Sequence, residues 1–276
     1  MSLLEIENLR VNFDTEAGPV EAVRGVSFEV DRERVAIVGE SGSGKSVTGR
    51  SILRLVRPPG RVTADTLRFD GQDLLTLTER KMRAIRGQRI AMVMQDPKFA
   101  LNPVMSIGDQ MTEGLRRRDG LSRRKATAKA IDMLRAVQIR DGERVMRAYP
   151  HEMSGGMGQR VMIAMMLIPD PDLLIADEPT SALDVTVQAE VLAILDDLVK
   201  ERGMGLIFIS HDLRLVSRFC DRVLVMYLGQ IVERLDARTL DAAQHPYTRG
   251  LLNCLPSIGG DRGPLPVLNR EASWAE

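Results

Sequence analysis

The chain has 276 residues, with 38 Lys+Arg against 38 Asp+Glu and a formal net charge of zero. That length allows one large domain or a core with small appendages, and the balanced charge supplies no whole-molecule field for nucleic acid or an anionic membrane. An apolar content of 44% with 28% charged residues is that of a globular protein and excludes a disordered one.

The start, Met1-Ser2-Leu3-Leu4-Glu5, lacks a basic flank before an apolar stretch, so no secretory leader is predicted. Leu4-Glu5-Ile6-Glu7 and Val26-Ser27-Phe28-Glu29-Val30 alternate with period two around a Gly18-Pro19 turn signal, which predicts an antiparallel β unit. Val35-Ala36-Ile37-Val38 is a continuous apolar run ending in a glycine-rich loop, the pattern of a buried parallel strand. A helix is predicted from about Lys45 to Val56, stopping before Pro58-Pro59-Gly60. Leu67-Arg68-Phe69-Asp70-Gly71 reads as a strand and turn, and Ile90-Ala91-Met92-Val93-Met94 as a second buried strand. Residues 99–153 are polar, arginine-rich and helical in pattern, with loops at Asn102-Pro103, Asp119-Gly120 and Tyr149-Pro150. They predict a helical insertion.

An apolar helix follows over Val161 to Ile168, the longest apolar run and far short of the roughly 20 residues that span a bilayer. Next come strand Leu173 to Asp177, an amphipathic helix (Val187, Val191, Ile194, Leu195, Leu198) and strand Leu206 to Ile209. Val223 to Met226 and Ile231-Val232 flank Gly229 as a hairpin. Beyond about residue 236, Pro246, Pro256, Pro264 and Pro266 predict an irregular appendage. Strands alternating with helices predict an α/β fold with a mainly parallel sheet covered on both faces. The predicted division is a β subdomain and first part of the core over 1–98, a helical subdomain over 99–158, the second part of the core over 159–235 and an appendage over 236–276. Cys220 and Cys254 stand far apart, which excludes a disulfide framework and a cysteine-only metal cage and points to the cytosol.

Gly39-Glu40-Ser41-Gly42-Ser43-Gly44-Lys45-Ser46 has the eight-residue spacing of a phosphate-binding loop between a strand and a helix. Glycines tolerate positive φ, so successive amides can turn inward around a polyphosphate, and the helix adds its positive dipole end. Lys45 supplies charge for the β and γ phosphates, and Ser46 a hydroxyl for Mg²⁺. The strand Leu173-Leu174-Ile175-Ala176 ends in Asp177-Glu178, and burying such a carboxylate pair without a cation is costly. Asp177 is expected to hold Mg²⁺ and Glu178 to polarise the attacking water as general base. A plain helix start at Asp-Glu-Pro is the alternative. In a parallel sheet the strand C-terminal ends surround the ligand crevice. His211, before a helix that Asp212 can cap, then becomes a γ-phosphate sensor, or else an ordinary loop residue. Gln95, leaving its strand before Asp96-Pro97, can coordinate Mg²⁺ or water, or is simply a polar strand exit.

Met153-Ser154-Gly155-Gly156-Met157-Gly158-Gln159-Arg160 closely resembles the signature loop of the ATP-binding cassette (ABC) family, usually Leu-Ser-Gly-Gly-Gln-x-Gln-Arg. Ser154 and the amides of Gly155 and Gly156 at a helix N-terminus suit a second phosphate site. The resemblance covers about residues 3–255 and implies a P-loop NTPase (RecA-like) core with an N-terminal antiparallel β subdomain and an inserted helical subdomain. It also implies that the signature of one subunit closes on ATP and Mg²⁺ held by the P-loop of another. Asp184, in Ser181-Ala182-Leu183-Asp184, matches the family's loop that crosses between subunits. Phe13 matches the aromatic that stacks on adenine, with core packing as the equal alternative. Met153, Met157 and Arg32 depart from the pattern, at two signature positions and at a turn glycine.

Gln95-Asp96-Pro97, Ala100-Leu101-Asn102-Pro103 and His245-Pro246-Tyr247-Thr248-Arg249 resemble the importer branch serving dipeptides, oligopeptides and nickel or other metal chelates. Cys254 alone in the tail excludes the four-thiolate iron–sulfur segment of many peptide-importing relatives. The resemblance therefore implies a peripheral ATPase subunit on the cytoplasmic face of the inner membrane. Its partners are a second cassette, two membrane permeases and, indirectly, a substrate-binding protein. Phe99, Leu101 and Met105 are candidate permease contacts. A soluble ABC ATPase of DNA repair or translation is the competing class. It is disfavoured by the single cassette, the absence of long heptad stretches and the zero net charge.

Overall fold

The computed structural model describes residues 2–95, 100–181, 183–254 and 274. It divides into two compact units: one formed by residues 1–77 and 207–276, the other by residues 78–206.

In the first unit, β1 (Leu4–Thr15) and β2 (Gly18–Val30) form an antiparallel pair; Leu4 and Ile6 are buried as their alternation predicts, and a register shift at Asn8 (φ 50°) puts Leu9 and Val11 in the core out of that phase. The turn falls at Glu16-Ala17 rather than Gly18-Pro19, and Gly18, at φ 111°, opens β2. The other edge of β1 takes two strands end to end. Its residues 10–13 pair with β4 (Gly60–Thr63) and its residues 4–7 with β5 (Thr66–Phe69), which in turn pairs with β6 (Gln72–Asp73). β4 had no alternation to announce it. β3 (Arg34–Val38) leads into α1 (Lys45–Ile52), shorter than predicted. Arg54 adopts φ 52°, and its guanidinium donates to the carbonyls of Leu74 (3.3 Å) and Leu77 (2.7 Å), turning the chain away from the helix.

β9 (Gly205–Ser210), most of which lies in this unit, is followed by α8 (Leu213–Phe219), β10 (Arg222–Tyr227) and β11 (Gln230–Asp236). Here the sheet order is β11-β10-β3-β9, with β10 parallel to β3 and antiparallel to β11. Arg34 clamps Asp221 with its backbone N–H and a two-pronged guanidinium contact (2.9–3.1 Å), which holds the Asp221 carboxyl below its ordinary pKa. Cys220 beside it is buried, which pushes its thiol pKa far up. The appendage is not wholly irregular: a 3₁₀ turn over Ala237–Ala242 precedes α9 (Pro246–Asn253). Pro246 occupies its first turn, where the missing N–H costs nothing. Pro256, Pro264 and Pro266 lie outside the described residues.

The second unit holds α2 (Glu79–Ile85), the parallel strands β7 (Ile90–Val93) and β8 (Leu173–Asp177), and the predicted helical segment. That segment comprises α3 (Ile107–Arg117), α4 (Arg123–Ala136) and α5 (Gly142–Arg147); the helix expected over Val161 to Ile168 starts earlier, as α6 (Gly155–Leu167). The amphipathic α7 (Val185–Arg202) follows β8 and ends on Gly203 at φ 57°. Ser106, Ser122, Asp141, Ser154 and Asp184 cap helices α3 to α7, each accepting an amide of the first turn. Among the described residues no helix is long and apolar enough to cross a membrane.

Candidate nucleotide site

In the first unit, buried β3 delivers Gly39 to the start of the loop. Gly39, Gly42 and Gly44 have φ of 154°, 83° and 100°. Two of them are fixed by crowding as well. A Cβ on Gly39 would lie 2.1 Å from the Met226 carbonyl oxygen, and one on Gly44 would lie 2.4 Å from the Ala22 carbonyl oxygen. Gly42 has nothing within 4 Å of a Cβ position, so its loop tip is open.

α1 starts at Gly44 without a side-chain cap, which leaves its first amides to an anion. Lys45 is 4% exposed, and its ammonium donates to the carbonyls of Gly39 (2.8 Å) and Glu40 (2.7 Å). The buried Ser43 hydroxyl has no hydrogen-bond partner among the described residues. An uncapped helix start, a buried ammonium and an orphaned hydroxyl in one glycine loop fit a polyphosphate. The hairpin turn between β10 and β11 ties down the far side of the loop, as Gly229 donates to the Ser43 carbonyl (3.1 Å).

Phe13 lies on β1 opposite Gly60 of β4, half-buried, with a ring edge that a Cβ on Gly60 would meet at 2.7 Å. His211 is exposed and follows β9, the strand beside β3; Asp212 caps α8 as predicted, accepting from Arg214 (2.9 Å) and Leu215 (3.2 Å).

In the second unit the parallel register Val93–Ala176 carries a consequence two residues on. Gln95 and Glu178 stand at equal distance past that pair, and Gln95 Nε2 donates to Glu178 Oε2 at 3.3 Å. Asp177 is 3% exposed at the end of β8, and Glu178 adopts φ 47°, a left-handed conformation uncommon outside glycine. The amide oxygen of Gln95 and the carboxylate oxygens of Asp177, both in this unit, are hard donors of the kind Mg²⁺ takes.

Ser154 caps α6, its hydroxyl accepting from Met157, and Ser154 and Gly155 are exposed. Gly156 has a packing reason to be glycine: a Cβ there would lie 2.6 Å from Val187 Cγ1 on α7. Asp184 caps α7 with bonds from Thr186 (3.1 Å) and Val187 (3.0 Å), so its carboxylate has a local task in addition to any at a subunit boundary. Ala182, Asp96-Pro97 and Phe99 lie outside the described residues. Leu101 is 5% exposed and belongs to the core of its unit, which removes it as a contact for another protein. Val104, 80% exposed two residues before Ser106, is the apolar side chain that faces solvent in this segment. Sequence reasoning passed over it, and over Tyr247, whose hydroxyl accepts from the Glu40 amide (2.9 Å).

Residues 23–181 match the ABC transporter family. Over 260 residues the chain is 48% identical to the oligopeptide transport ATP-binding protein OppD of Bacillus subtilis, covering 93% of this chain and 72% of that protein. Over 270 residues it is 45% identical to the dipeptide transport ATP-binding protein DppD of Escherichia coli, covering 97% and 83%. Among solved structures, the dimeric post-hydrolysis state of the ATP-binding cassette MJ0796 bound to ADP and Pi matches with a TM-score of 0.76. It is 25% identical and covers 85% of this chain and 99% of that one.

Proposed function

The chain belongs to the ABC transporter family, and we propose that it is the ATP-hydrolysing subunit of a membrane importer of di- and oligopeptides. The observation that carries the ATPase reading is the Gln95–Glu178 contact at 3.3 Å, which ties the carboxylate beside Asp177 to the loop leaving β7. In this reading the loop 39–46 binds the phosphates and Phe13 stacks on adenine. Glu178 takes a proton from the attacking water, and His211 reads the γ-phosphate. Ser46, Gln95 and Asp177 would hold Mg²⁺, whose charge would offset that of the phosphates.

The exposed Ser154-Gly155 turn, and Val185, 82% exposed next to Asp184, support a face that meets a second cassette. ATP binding then favours the closed pair and hydrolysis the open one, a differential-affinity coupling. The exposed Val104 supports a permease contact near the start of α3. The subunit then works peripherally at the cytoplasmic face of the inner membrane, with a binding protein outside delivering cargo. The peptide names of OppD and DppD favour peptides over nickel or a metal chelate.

The test is reconstitution in proteoliposomes with two permeases and a sister cassette, with the substrate-binding protein supplied outside. ATP inside the vesicles should drive uptake of a labelled dipeptide and not of nickel, and Val104→Asp should uncouple uptake from hydrolysis. ATP hydrolysis that drives neither cargo would overturn the importer reading.

A further inference from the structure

We propose that Tyr247 is a positioning residue for the nucleotide reaction, anchoring the phosphate loop from the C-terminal helix and linking it to Trp274. The proposal rests on the nucleotide reading of the loop 39–46. In the sequence, His245-Pro246-Tyr247 served only to mark a branch of the family; the structure gives it a mechanical task.

The anchoring is built in steps. Glu233 on β11 accepts from the amides of Gln244 (2.6 Å) and His245 (3.2 Å), fixing the approach to α9. His245 caps that helix, its Nδ1 accepting from the Tyr247 amide at 3.2 Å. Tyr247 is thereby held one residue inside α9 and is fully buried. A buried phenol needs a partner. Its hydroxyl accepts from the backbone N–H of Glu40, two residues past the end of β3, at 2.9 Å. Glu40 is also the residue whose carbonyl holds the Lys45 ammonium at 2.7 Å. Tyr247 thus grips a residue that, with Gly39, holds the loop's cation.

The ring of Tyr247 lies 4.3 Å from that of Tyr227, at the end of β10, and 6.3 Å from that of Trp274. Tyr227 directly follows Met226, the residue whose carbonyl crowds Gly39. The aromatic group therefore meets the loop directly through the Tyr247 hydrogen bond, and Tyr227 sits next in the chain to the carbonyl that faces Gly39. Trp274 is the single tryptophan of the sequence, so its emission reports on this group alone.

The experiment compares the full-length wild-type chain with Tyr247→Phe, which deletes the hydroxyl and keeps the ring. MgATP affinity is measured by calorimetry, thermal midpoint by circular dichroism, and Trp274 emission by titration with MgATP. MgATP should change wild-type emission. Tyr247→Phe should bind MgATP roughly fivefold more weakly, in the range that loss of one hydrogen bond gives, and lose most of the emission response. Its thermal midpoint should stay close to that of wild type, which separates positioning from general support. Wild-type affinity in Tyr247→Phe, or a silent Trp274 in the wild-type chain, would overturn the proposal. A wild-type chain that binds no MgATP overturns the nucleotide reading itself, and this proposal with it.

Discussion

Gln95 and Glu178 meet because β7 and β8 are parallel and in register, and each residue lies two positions past the paired Val93 and Ala176. The result is a 3.3 Å bond from the Gln95 amide to the Glu178 carboxylate, the group proposed as general base. Glu178→Gln should retain MgATP binding and lower turnover by roughly 10²- to 10⁴-fold, the range for removing a general base. Single-turnover hydrolysis and equilibrium nucleotide binding on the same preparation check this, and wild-type turnover in the variant would remove Glu178 from its role.

Lys45→Ala should weaken MgATP binding by roughly 10- to 100-fold, since charge-assisted hydrogen bonds contribute about 1.5–3 kcal/mol. The Lys45 ammonium donates to the carbonyls of Gly39 and Glu40, which hold it inside the loop. Calorimetric titration measures the loss; an unchanged affinity contradicts the phosphate reading of the loop.

Gly39→Ala and Gly42→Ala should differ sharply although both glycines have positive φ. At Gly39 the added methyl group meets a backbone carbonyl at 2.1 Å, which predicts a cost of about 3 kcal/mol or more; at Gly42 it meets nothing, leaving only a conformational strain of about 1–2 kcal/mol. Urea unfolding of the two variants gives the comparison, and equal midpoints would contradict it.

Asp221→Asn should lower the thermal midpoint at neutral pH, and the gap to wild type should close in acid. Because Arg34 holds the Asp221 carboxyl below its ordinary value, its contribution is present above the unfolded pKa, near 3.9, and is lost as pH falls through the folded one. Melting curves from pH 7 to pH 3 test the sign; a gap that widens in acid would refute it.

The strands beside the candidate site were legible because burial wrote them as unbroken apolar runs: β3 runs into Gly39, β7 ends two residues before Gln95, and β8 ends in Asp177. The caps were legible too, with Asp212 serving the helix after His211. The features that escaped are those made by distant partners. Nothing local to residues 54–56 shows that the Arg54 guanidinium reaches the carbonyls of Leu74 and Leu77 where α1 ends early. The Tyr247 bond spans more than two hundred positions, and the prolines around it read as irregular chain when one of them starts a helix. Leu101 and Val104 show the same limit at a surface: both are apolar in one polar stretch, and only packing decides which turns inward.

The contrast between the two cysteines makes the helix that bears Tyr247 easy to tag. Cys220 is interred and disinclined to form a thiolate, whereas Cys254, at the far end of α9, is only half-covered. A maleimide dye at neutral pH should therefore attach at a single natural position, placing a distance ruler on that helix without any engineered cysteine.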